Sequence, residues 1–259
     1  MKKILRFLYC CYQILVLPIL VFNTIMCSVI TILFFPFKNT EPIHQVQMWW
    51  CKLFFYWLFI PVTMDGAENL QKGQSYVFVA NHSSMFDVFL IYGWLPVIYK
   101  WMMKAELRKM PFVGTACKAA GHVFVDRSSP KAALQSVEEV KRTLRNGICT
   151  VIFPEGTRSS DGQLGRFRRG AFQIALDLTL PIVPLSLSGC YEVMNRKELF
   201  AHRYPVHMHI GKPIDLTELK KKLEAEHPAE AQFDEAHHNE AIMNYVREQV
   251  AAGILTRER

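Results

Sequence analysis

The stretch Tyr76-Val77-Phe78-Val79-Ala80-Asn81-His82-Ser83-Ser84-Met85-Phe86-Asp87 joins an apolar run to a polar turn. Tyr76–Ala80 predicts a buried β-strand, because it is a short, continuous apolar run rich in strand-forming residues. Ser84 and Asp87, three residues apart, form a capping-box pattern that predicts the start of a helix. His82 then lies in the turn between the strand and the helix.

Similar strand-like runs alternate with helical patterns along the rest of the chain. The further predicted strands are Val97–Trp101, His122–Val125, Ile148–Phe153, Ile182–Leu187 and Val206–Ile210. Helices are predicted over 130–146, 216–226 and 235–251, the first with Ser129 as N-cap, Pro130 at its first position and Gly147 at its end. This alternation predicts an α/β fold with a largely parallel sheet of about seven strands flanked by helices.

The first quarter of the chain predicts an N-terminal membrane-associated helical segment before the sheet. Phe7–Phe37 contains no charged residue over 31 positions, between Arg6 and Lys38. As one helix it would be about 46 Å long against a hydrocarbon core of about 30 Å. A kinked span, a re-entrant helix and two short helices in one leaflet all fit, and Met48–Val62 is predicted to be an interfacial helix. A cleaved signal peptide is the alternative, but the run is long and no A-x-A site follows it.

Composition narrows the class of partner. The net charge of +7 and the pI of about 9.0 favour an anionic partner, and 51% hydrophobic residues favour a membrane-facing part. We find no zinc-ligand spacing, RNP motif or basic heptad helix, so we expect no nucleic acid partner and no metal. The seven cysteines lack any CxxC pair, which is typical of buried thiols in a reducing compartment.

His82 and Asp87 are candidate catalytic residues. In an unbroken helix they would point about 140° apart, but a strand-turn-helix corner lets them meet. The Asp87 carboxylate could then orient the imidazole, whose other nitrogen would take a proton. The alternative is that Asp87 only caps the helix and His82 is a turn residue. A serine hydrolase based on Ser83 or Ser84 is disfavoured because the sequence has no G-x-S-x-G elbow.

A second polar motif, Phe153-Pro154-Glu155-Gly156-Thr157-Arg158-Ser159, follows another predicted strand. Gly156 would let backbone amides approach a ligand, Arg158 offers a fork that matches a phosphate, and Thr157 adds a hydroxyl. Glu155 could orient an arginine or accept from a substrate hydroxyl. The alternative is a tight turn held by an ion pair between Glu155 and an arginine.

Further cations lie near these two motifs in the sequence. Lys104 and Arg127 each follow a predicted strand, and a dianionic phosphate would need more than one positive charge. Single cations at strand ends are otherwise ordinary surface charges. A cluster of three arginines, at positions 166, 168 and 169, could steer anions or face lipid headgroups.

Four blocks occur in order along the chain: Asn81-His82-x4-Asp87, Gly121-x2-Phe124-Val125-x-Arg127, Phe153-Pro154-Glu155-Gly156-Thr157-Arg158 and Leu180-Pro181-Ile182-Val183-Pro184. In these blocks the chain resembles the glycerolipid acyltransferases, specifically the bacterial 1-acyl-sn-glycerol-3-phosphate acyltransferases. The resemblance runs from about Val62 to Ile214. It implies a membrane-associated helical segment at residues 1–61 and a catalytic domain at residues 62–259.

The resemblance also implies a reaction, in which a fatty acyl group moves from acyl carrier protein or coenzyme A to the sn-2 hydroxyl of lysophosphatidic acid. The product would be phosphatidic acid, with no cofactor required. The implied roles are a general base (His82), its orienting partner (Asp87), phosphate-binding cations (Lys104, Arg127 and Arg158) and residues that shape the acceptor site (Glu155, Gly156 and Thr157).

The implied setting is the bacterial inner membrane, with membrane lipids as partners and the catalytic domain on the cytoplasmic side. Two other functions stay open. One is an acyltransferase for another lysolipid, such as a lysophospholipid or an ornithine lipid. The other is a non-catalytic, membrane-anchored lipid-binding protein.

Overall fold

The computed structural model describes residues 2–37, 40–125, 147–169, 177–226 and 235–255, with single positions at 138, 142, 144, 172 and 175. Arg127 and nearly all of the helix predicted over 130–146 lie outside the described residues.

A seven-stranded sheet forms the centre of the described chain, in the order β1-β7-β6-β2-β5-β3-β4. Neighbouring strands are parallel except β6 and β7, which are antiparallel. The largely parallel seven-stranded sheet predicted from the sequence is thus confirmed. The strands are β1 (Val62–Asp65), β2 (Val77–Ala80), β3 (Tyr99–Lys104), β4 (Val123–Val125), β5 (Cys149–Ile152), β6 (Ile182–Ser188) and β7 (Val206–Ile210).

Helices cover both faces of this sheet. They are α1 (Lys2–Phe34), α2 (Thr40–Trp57), α3 (Phe86–Trp94), α4 (Val113–Ala119), α5 (Cys190–Val193), α6 (Leu216–Glu226) and α7 (Glu235–Ala252). Short 3-10 turns occupy Phe35–Phe37, Ala67–Asn69 and Ala105–Lys109.

Strand β2 shows why two helical layers are needed. Its four residues are fully buried, with Phe78 and Ala80 in the core beneath α2 and α3, and Val77 and Val79 in the core beneath α6 and α7. A strand that is apolar on both faces can lie only between two covering layers. This explains the continuous apolar run that predicted the strand.

Two strands differ from their predictions. Strand β1, which pairs in parallel with β7 at the sheet edge, was not predicted, because it is only four residues long and alternates between half-buried and exposed positions. Strand β3 begins two residues later than predicted and runs on to Lys104, because its last residues pair with β4.

Helix α1 is one continuous helix of 33 residues that contains Pro18. It lies along the domain, where the hydroxyl of Tyr9 donates to the Leu58 carbonyl (2.6 Å) and Gln13 exchanges two hydrogen bonds with the Ala201 backbone. Its other face exposes large apolar side chains, including Phe7, Leu8, Ile14, Leu15, Leu17 and Phe22. Within the described residues, the region Lys3–Phe37 is long and apolar enough to cross a membrane, with a mean hydropathy of 2.3.

Helix α2 packs beside α1 and begins at Thr40, eight residues before the predicted interfacial helix. The indole of Trp50 donates to Thr24 of α1 at 3.0 Å. Because α2 contacts both α1 and α3, it joins the apolar N-terminal helix to the layer over the sheet.

Candidate active site

A cleft of about 310 Å³ opens where four adjacent parallel strands end. His82 follows β2, Phe153 follows β5, Lys104 ends β3 and Val125 ends β4. The carboxyl ends of parallel strands are the usual place for a binding site in such sheets. The other residues that line the cleft are Val88, Trp101, Met102, Met103, Leu107, Ile152 and Gly156.

His82 is held by a carboxylate on one side and an aromatic ring on the other. Its Nδ1 lies 2.8 Å from Oδ2 of Asp87, so the strand-turn-helix corner brings the two side chains together. The imidazole stacks on Phe153 at a centroid distance of 3.9 Å and an interplanar angle of 13°. Since an ionised carboxylate only accepts hydrogen bonds, a neutral imidazole in this contact would carry its proton on Nδ1 and keep its lone pair on Nε2.

Asp87 is completely buried at the first turn of α3. Its Oδ2 accepts the backbone N–H groups of Ser83 (2.6 Å) and Ser84 (2.7 Å) as well as the His82 contact. The Ser84 bond is one half of the predicted capping box. In place of the other half, the Ser84 hydroxyl accepts the backbone N–H of Phe86 rather than that of Asp87, and it donates to the Met194 carbonyl, so it is engaged away from the cleft.

Cys190, which the sequence did not single out, is buried beside Asp87 at the start of α5. Burial, reinforced by the negative charge of Asp87, raises the pKa of this thiol well above its ordinary value. The thiol therefore stays protonated and is a poor nucleophile.

Glu155 connects the two polar motifs. Its Oε1 accepts the backbone N–H of His82 at 2.8 Å, and its Oε2 accepts the backbone N–H of Gly165 at 2.9 Å. Burial raises the pKa of the carboxyl, and these two N–H groups oppose that rise. The sequence predicted a substrate contact or an arginine ion pair for Glu155, whereas the structure turns both oxygens to the backbone.

The turn after Glu155 carries the candidate anion site. Gly156 has φ +75°, which favours glycine, and a Cβ there would lie 3.2 Å from Nε of Arg168. Thr157 is exposed and Arg158 half-buried, just outside the residues that line the cleft. The backbone N–H of Ser159 donates to the His82 carbonyl at 2.7 Å, which ties this turn to the histidine.

The arginine cluster divides in space. Arg168 lies against Gly156 at the cleft, whereas Arg166 faces α7 and forms an ion pair with Glu240 at 3.2 Å. On another segment, Arg196 donates to the Arg158 carbonyl at 3.3 Å. Arg168 and Arg196 therefore border the candidate anion site. The sequence alone did not distinguish these two arginines from other basic residues nearby.

Lys104 lines the cleft and is exposed at the end of β3. Of the predicted site residues, Lys104 and Gly156 therefore line the same cleft as His82. Thr157 and Arg158 lie on the turn next to the cleft, and Glu155 contacts the backbone of His82. Arg127 lies two residues beyond Val125, outside the described part of the chain.

Asn81 fixes the end of β2 against β6. Its side-chain amide donates to the Leu187 carbonyl at 2.9 Å, and its carbonyl oxygen accepts the Leu187 N–H at 2.8 Å. The sequence contained one signal for this role, an amide directly after a buried strand, but its partner lies 106 residues away.

A second cavity, of about 160 Å³, adjoins the cleft and has almost entirely apolar walls. Val88, Trp101, Met103 and Leu107 line both spaces. Its far walls come from α1, α2 and α4, including Ser28, Cys51 and Ala116. Sequence reasoning missed this cavity because its walls belong to elements that are distant along the chain.

The described residues contain no group of three or more histidine, cysteine, aspartate or glutamate side chains that could hold a metal ion.

Residues 61–188 match the protein family described as Acyltransferase. This matched region contains the His82–Asp87 pair, Lys104 and the turn around Gly156. The likeness to this family therefore spans the sheet from just before β1 to the end of β6.

More particular likenesses are to proteins named 1-acyl-sn-glycerol-3-phosphate acyltransferase. The Cocos nucifera protein is 35% identical over 155 residues, covering 60% of this chain and 50% of the relative. The Homo sapiens protein named alpha is 36% identical over 140 residues, covering 54% of this chain and 50% of the relative. The matches to these curated relatives thus span about half of the relatives' length.

The fold is that of a solved structure, the 1-acyl-sn-glycerophosphate (LPA) acyltransferase PlsC from Thermotoga maritima. The TM-score is 0.75 at 26% sequence identity, covering 98% of this chain and 96% of that one. The likeness therefore extends beyond the family region to the N-terminal helices.

Proposed function

We propose that this protein transfers a fatty acyl group from a thioester donor to the sn-2 hydroxyl of lysophosphatidic acid, giving phosphatidic acid. The observation that carries the proposal is the His82–Asp87 pair, whose histidine lines a cleft at the carboxyl ends of four parallel strands. The names of the relatives and of the Thermotoga maritima structure support the same reaction.

In the proposed mechanism, Nε2 of His82 removes the proton from the acceptor hydroxyl. The hydroxyl oxygen attacks the thioester carbonyl carbon and forms the new C–O bond. Collapse of the tetrahedral intermediate breaks the C–S bond, and the imidazolium returns its proton to the leaving thiolate. Asp87 keeps Nδ1 protonated and stabilises the imidazolium, and such a base contributes about 10²–10⁴ in rate.

We propose that cations around the cleft hold the acceptor phosphate. Lys104 lies on the cleft wall, Arg158 follows the Gly156 turn, and Arg168 packs against Gly156. The family resemblance adds Arg127. Holding the phosphate would place the acceptor hydroxyl near His82, and this positioning is itself a large part of such catalysis. Thr157 and Gly156 would shape the turn, and Glu155 would position both the turn and His82.

The apolar cavity next to the cleft is proposed to hold the acyl chain of the donor. It joins the cleft at Trp101, which stacks on Phe153, the ring that supports His82. A thioester at the junction would therefore have its chain buried and its carbonyl close to the histidine. Either acyl carrier protein or coenzyme A could carry that thioester.

Residues 1–61 are proposed to be a membrane-associated element and residues 62–259 the catalytic domain. Helix α1 contacts the domain through Arg6, which donates to the Ala201 carbonyl, and through its packing against α4. Such contacts favour a helix that lies in one leaflet over a helix that crosses the membrane. We place it in the bacterial inner membrane with the catalytic domain on the cytoplasmic side.

A product assay tests this function. Purified protein would receive defined acyl thioesters with lysophosphatidic acid, a zwitterionic lysophospholipid or a lyso-ornithine lipid. We expect phosphatidic acid as the main product. Turnover only with another lysolipid would identify that lysolipid as the acceptor in place of lysophosphatidic acid. Absence of turnover with all three acceptors would favour a non-catalytic lipid-binding protein.

A histidine variant separates chemistry from binding. His82→Ala should abolish transfer but retain lysophosphatidic acid binding, whereas His209→Ala, at a histidine–aspartate contact on the far edge of the sheet, should retain both. Full activity of His82→Ala would exclude the histidine as the base.

A further inference from the structure

The segment Leu107–Val113, which we call the portal segment, exposes apolar side chains on the catalytic domain. It runs from within the 3-10 turn Ala105–Lys109 to Val113, the first residue of α4. Phe112 is 53% exposed and Met110 46% exposed. A connecting turn usually exposes polar residues, so these side chains require an explanation beyond turn formation.

The backbone holds Phe112 at the tip of a tight turn. The Val113 N–H donates to the Pro111 carbonyl at 2.6 Å, and Phe112 at the centre has φ +60° and ψ −52°. This γ-turn conformation is rare and strained for a residue with a side chain. Gly114 locks the turn, because a Cβ at that position would lie 2.2 Å from the Arg108 carbonyl oxygen.

The portal segment separates an outer groove from the inner cavities. Leu107 lines both the catalytic cleft and the apolar cavity. Val113 lines the apolar cavity and also an outer groove of about 190 Å³, whose opposite wall is Leu17, Leu20 and Val21 of α1. The outer groove therefore adjoins the exposed apolar face of α1, and Thr24 and Val113 line both this groove and the apolar cavity.

The charges beside these apolar residues match an anionic lipid surface. Arg108 and Lys109 are both exposed, and they immediately precede Met110. The guanidinium of Arg108 stacks on Phe124, with its central carbon 5.0 Å from the ring centroid, so its position at the surface is fixed. Basic residues beside apolar ones are typical of a surface that inserts at a membrane interface.

We propose that the portal segment inserts into the same leaflet as α1 and forms a lateral portal between the bilayer and the apolar cavity. Met110 and Phe112 enter the acyl region, while Arg108 and Lys109 contact anionic headgroups. An acyl chain then passes from the leaflet through the outer groove, past Val113, into the cavity. The proposed insertion depends only on the exposed apolar and basic residues of the portal segment. The proposed passage of the acyl chain rests on the proposed acyltransferase function.

Photo-crosslinking tests the insertion without any assay of turnover. A benzophenone amino acid would replace Phe112, Leu15 on the exposed face of α1, or Leu255 beyond α7, in full-length protein in phosphatidylglycerol vesicles. Leu255 is 48% exposed and so matches Phe112 in exposure. We expect several-fold more lipid adduct at 112 than at 255, and a yield at 112 comparable to that at 15.

Equal yields at 112 and 255 would overturn the insertion. So would adducts at 112 that form with added acyl carrier protein but not with lipid, since they would identify an acidic protein as the partner. Replacing phosphatidylglycerol with phosphatidylcholine should lower the adduct yield at 112, and the double variant Arg108→Gln with Lys109→Gln should remove that dependence on lipid charge.

A kinetic comparison tests the passage of the acyl chain. Phe112→Glu should raise the KM for a long-chain, vesicle-bound acyl-coenzyme A donor several-fold more than the KM for a short-chain, water-soluble acyl-coenzyme A. Leu255→Glu should change neither. Equal effects of Phe112→Glu on the two donors would overturn the portal, whereas absence of turnover in the unmodified protein would overturn the proposed function and leave the crosslinking result standing.

Discussion

The backbone N–H of His82 donates a 2.8 Å hydrogen bond to Oε1 of Glu155, across 73 residues of sequence. This bond joins the turn after β2 to the turn after β5, which are neighbouring strands. The imidazole therefore depends on three supports: the Glu155 carboxylate at its backbone, Asp87 at Nδ1 and Phe153 beneath its ring.

Replacing Glu155 by glutamine should lower kcat with little change in the acceptor KM. A glutamine side chain has one oxygen, so one of the two backbone N–H groups would face an amide NH₂, and the loss of one buried hydrogen bond costs about 1–3 kcal/mol. Steady-state kinetics and a melting temperature measure the two effects. Glu68→Gln, at an exposed glutamate, is the control. An increase in the acceptor KM with unchanged kcat would instead support the substrate contact that the sequence predicted for Glu155.

Replacing Asp87 by asparagine should lower kcat by about 10² or more, because an amide cannot support the imidazolium as a carboxylate does. The matched control is Asp65→Asn, since Asp65 also contacts a histidine, His209, but at the sheet edge. Unchanged kcat in Asp87→Asn, in a folded protein, would reduce Asp87 to a helix cap.

Arg168→Gln should raise the KM for lysophosphatidic acid, whereas Arg166→Gln should leave it unchanged. The two arginines are two residues apart, but Arg168 lies against Gly156 and Arg166 pairs with Glu240. Loss of one charge-assisted phosphate contact corresponds to about 1.5–3 kcal/mol, or about tenfold or more in KM. Similar KM values for the two variants would remove Arg168 from the anion site.

Ala116→Leu should shift the donor preference toward shorter acyl chains. Ala116 is buried and lines the apolar cavity, so a larger side chain would occupy space proposed for the acyl chain. Competition between donors of different chain length measures the shift. Thr115→Leu, exposed on the same helix, is the control. An unchanged preference in a normally folded Ala116→Leu variant would place the acyl chain elsewhere.

Lys100→Met should stabilise the protein at pH 7, and this advantage should fade at alkaline pH. Burial lowers the pKa of Lys100 from 10.5 to about 8, so charging it in the folded state costs about 3 kcal/mol near neutrality. Between about pH 8 and 10.5 the unfolded state binds the extra proton, so the stability of the unmodified protein rises relative to the variant as pH increases through this window.

Melting temperatures of both proteins from pH 7 to 10.5 test this dependence. The lost hydrogen bond from Lys100 to the Ala120 carbonyl offsets part of the gain, which leaves an increase of about 5 °C at pH 7. Lys197→Met, at an exposed lysine, should show no such pH dependence. A difference that stayed constant with pH would contradict the charged state assigned to Lys100.

Sequence reasoning succeeded where contacts are local. His82 and Asp87 are five residues apart across one corner, so backbone geometry alone limits how they can meet. The same holds for Gly156, whose positive φ belongs to its own turn. The residues that determine strand β2 are likewise contiguous, and their burial on both faces follows from their apolarity.

Sequence reasoning was incomplete where partners are distant. The role of Glu155 depends on β2 lying beside β5, and that of Asn81 on β2 lying beside β6. The separation of Arg166 from Arg168 depends on where α7 packs. Strand order therefore decided these roles, and no local pattern encodes strand order.

The sequence by itself determined the two polar turns that follow apolar strands, the chemical groups in those turns and the apolar character of the N-terminal helix. The tertiary structure decided that these two turns lie side by side and which cation lines the cleft. It also decided that α1, α2 and α4 enclose an apolar cavity next to the cleft. The reason is physical: short-range backbone geometry fixes contacts within a few residues, whereas contacts between distant residues follow from how the sheet and helices bury their apolar faces.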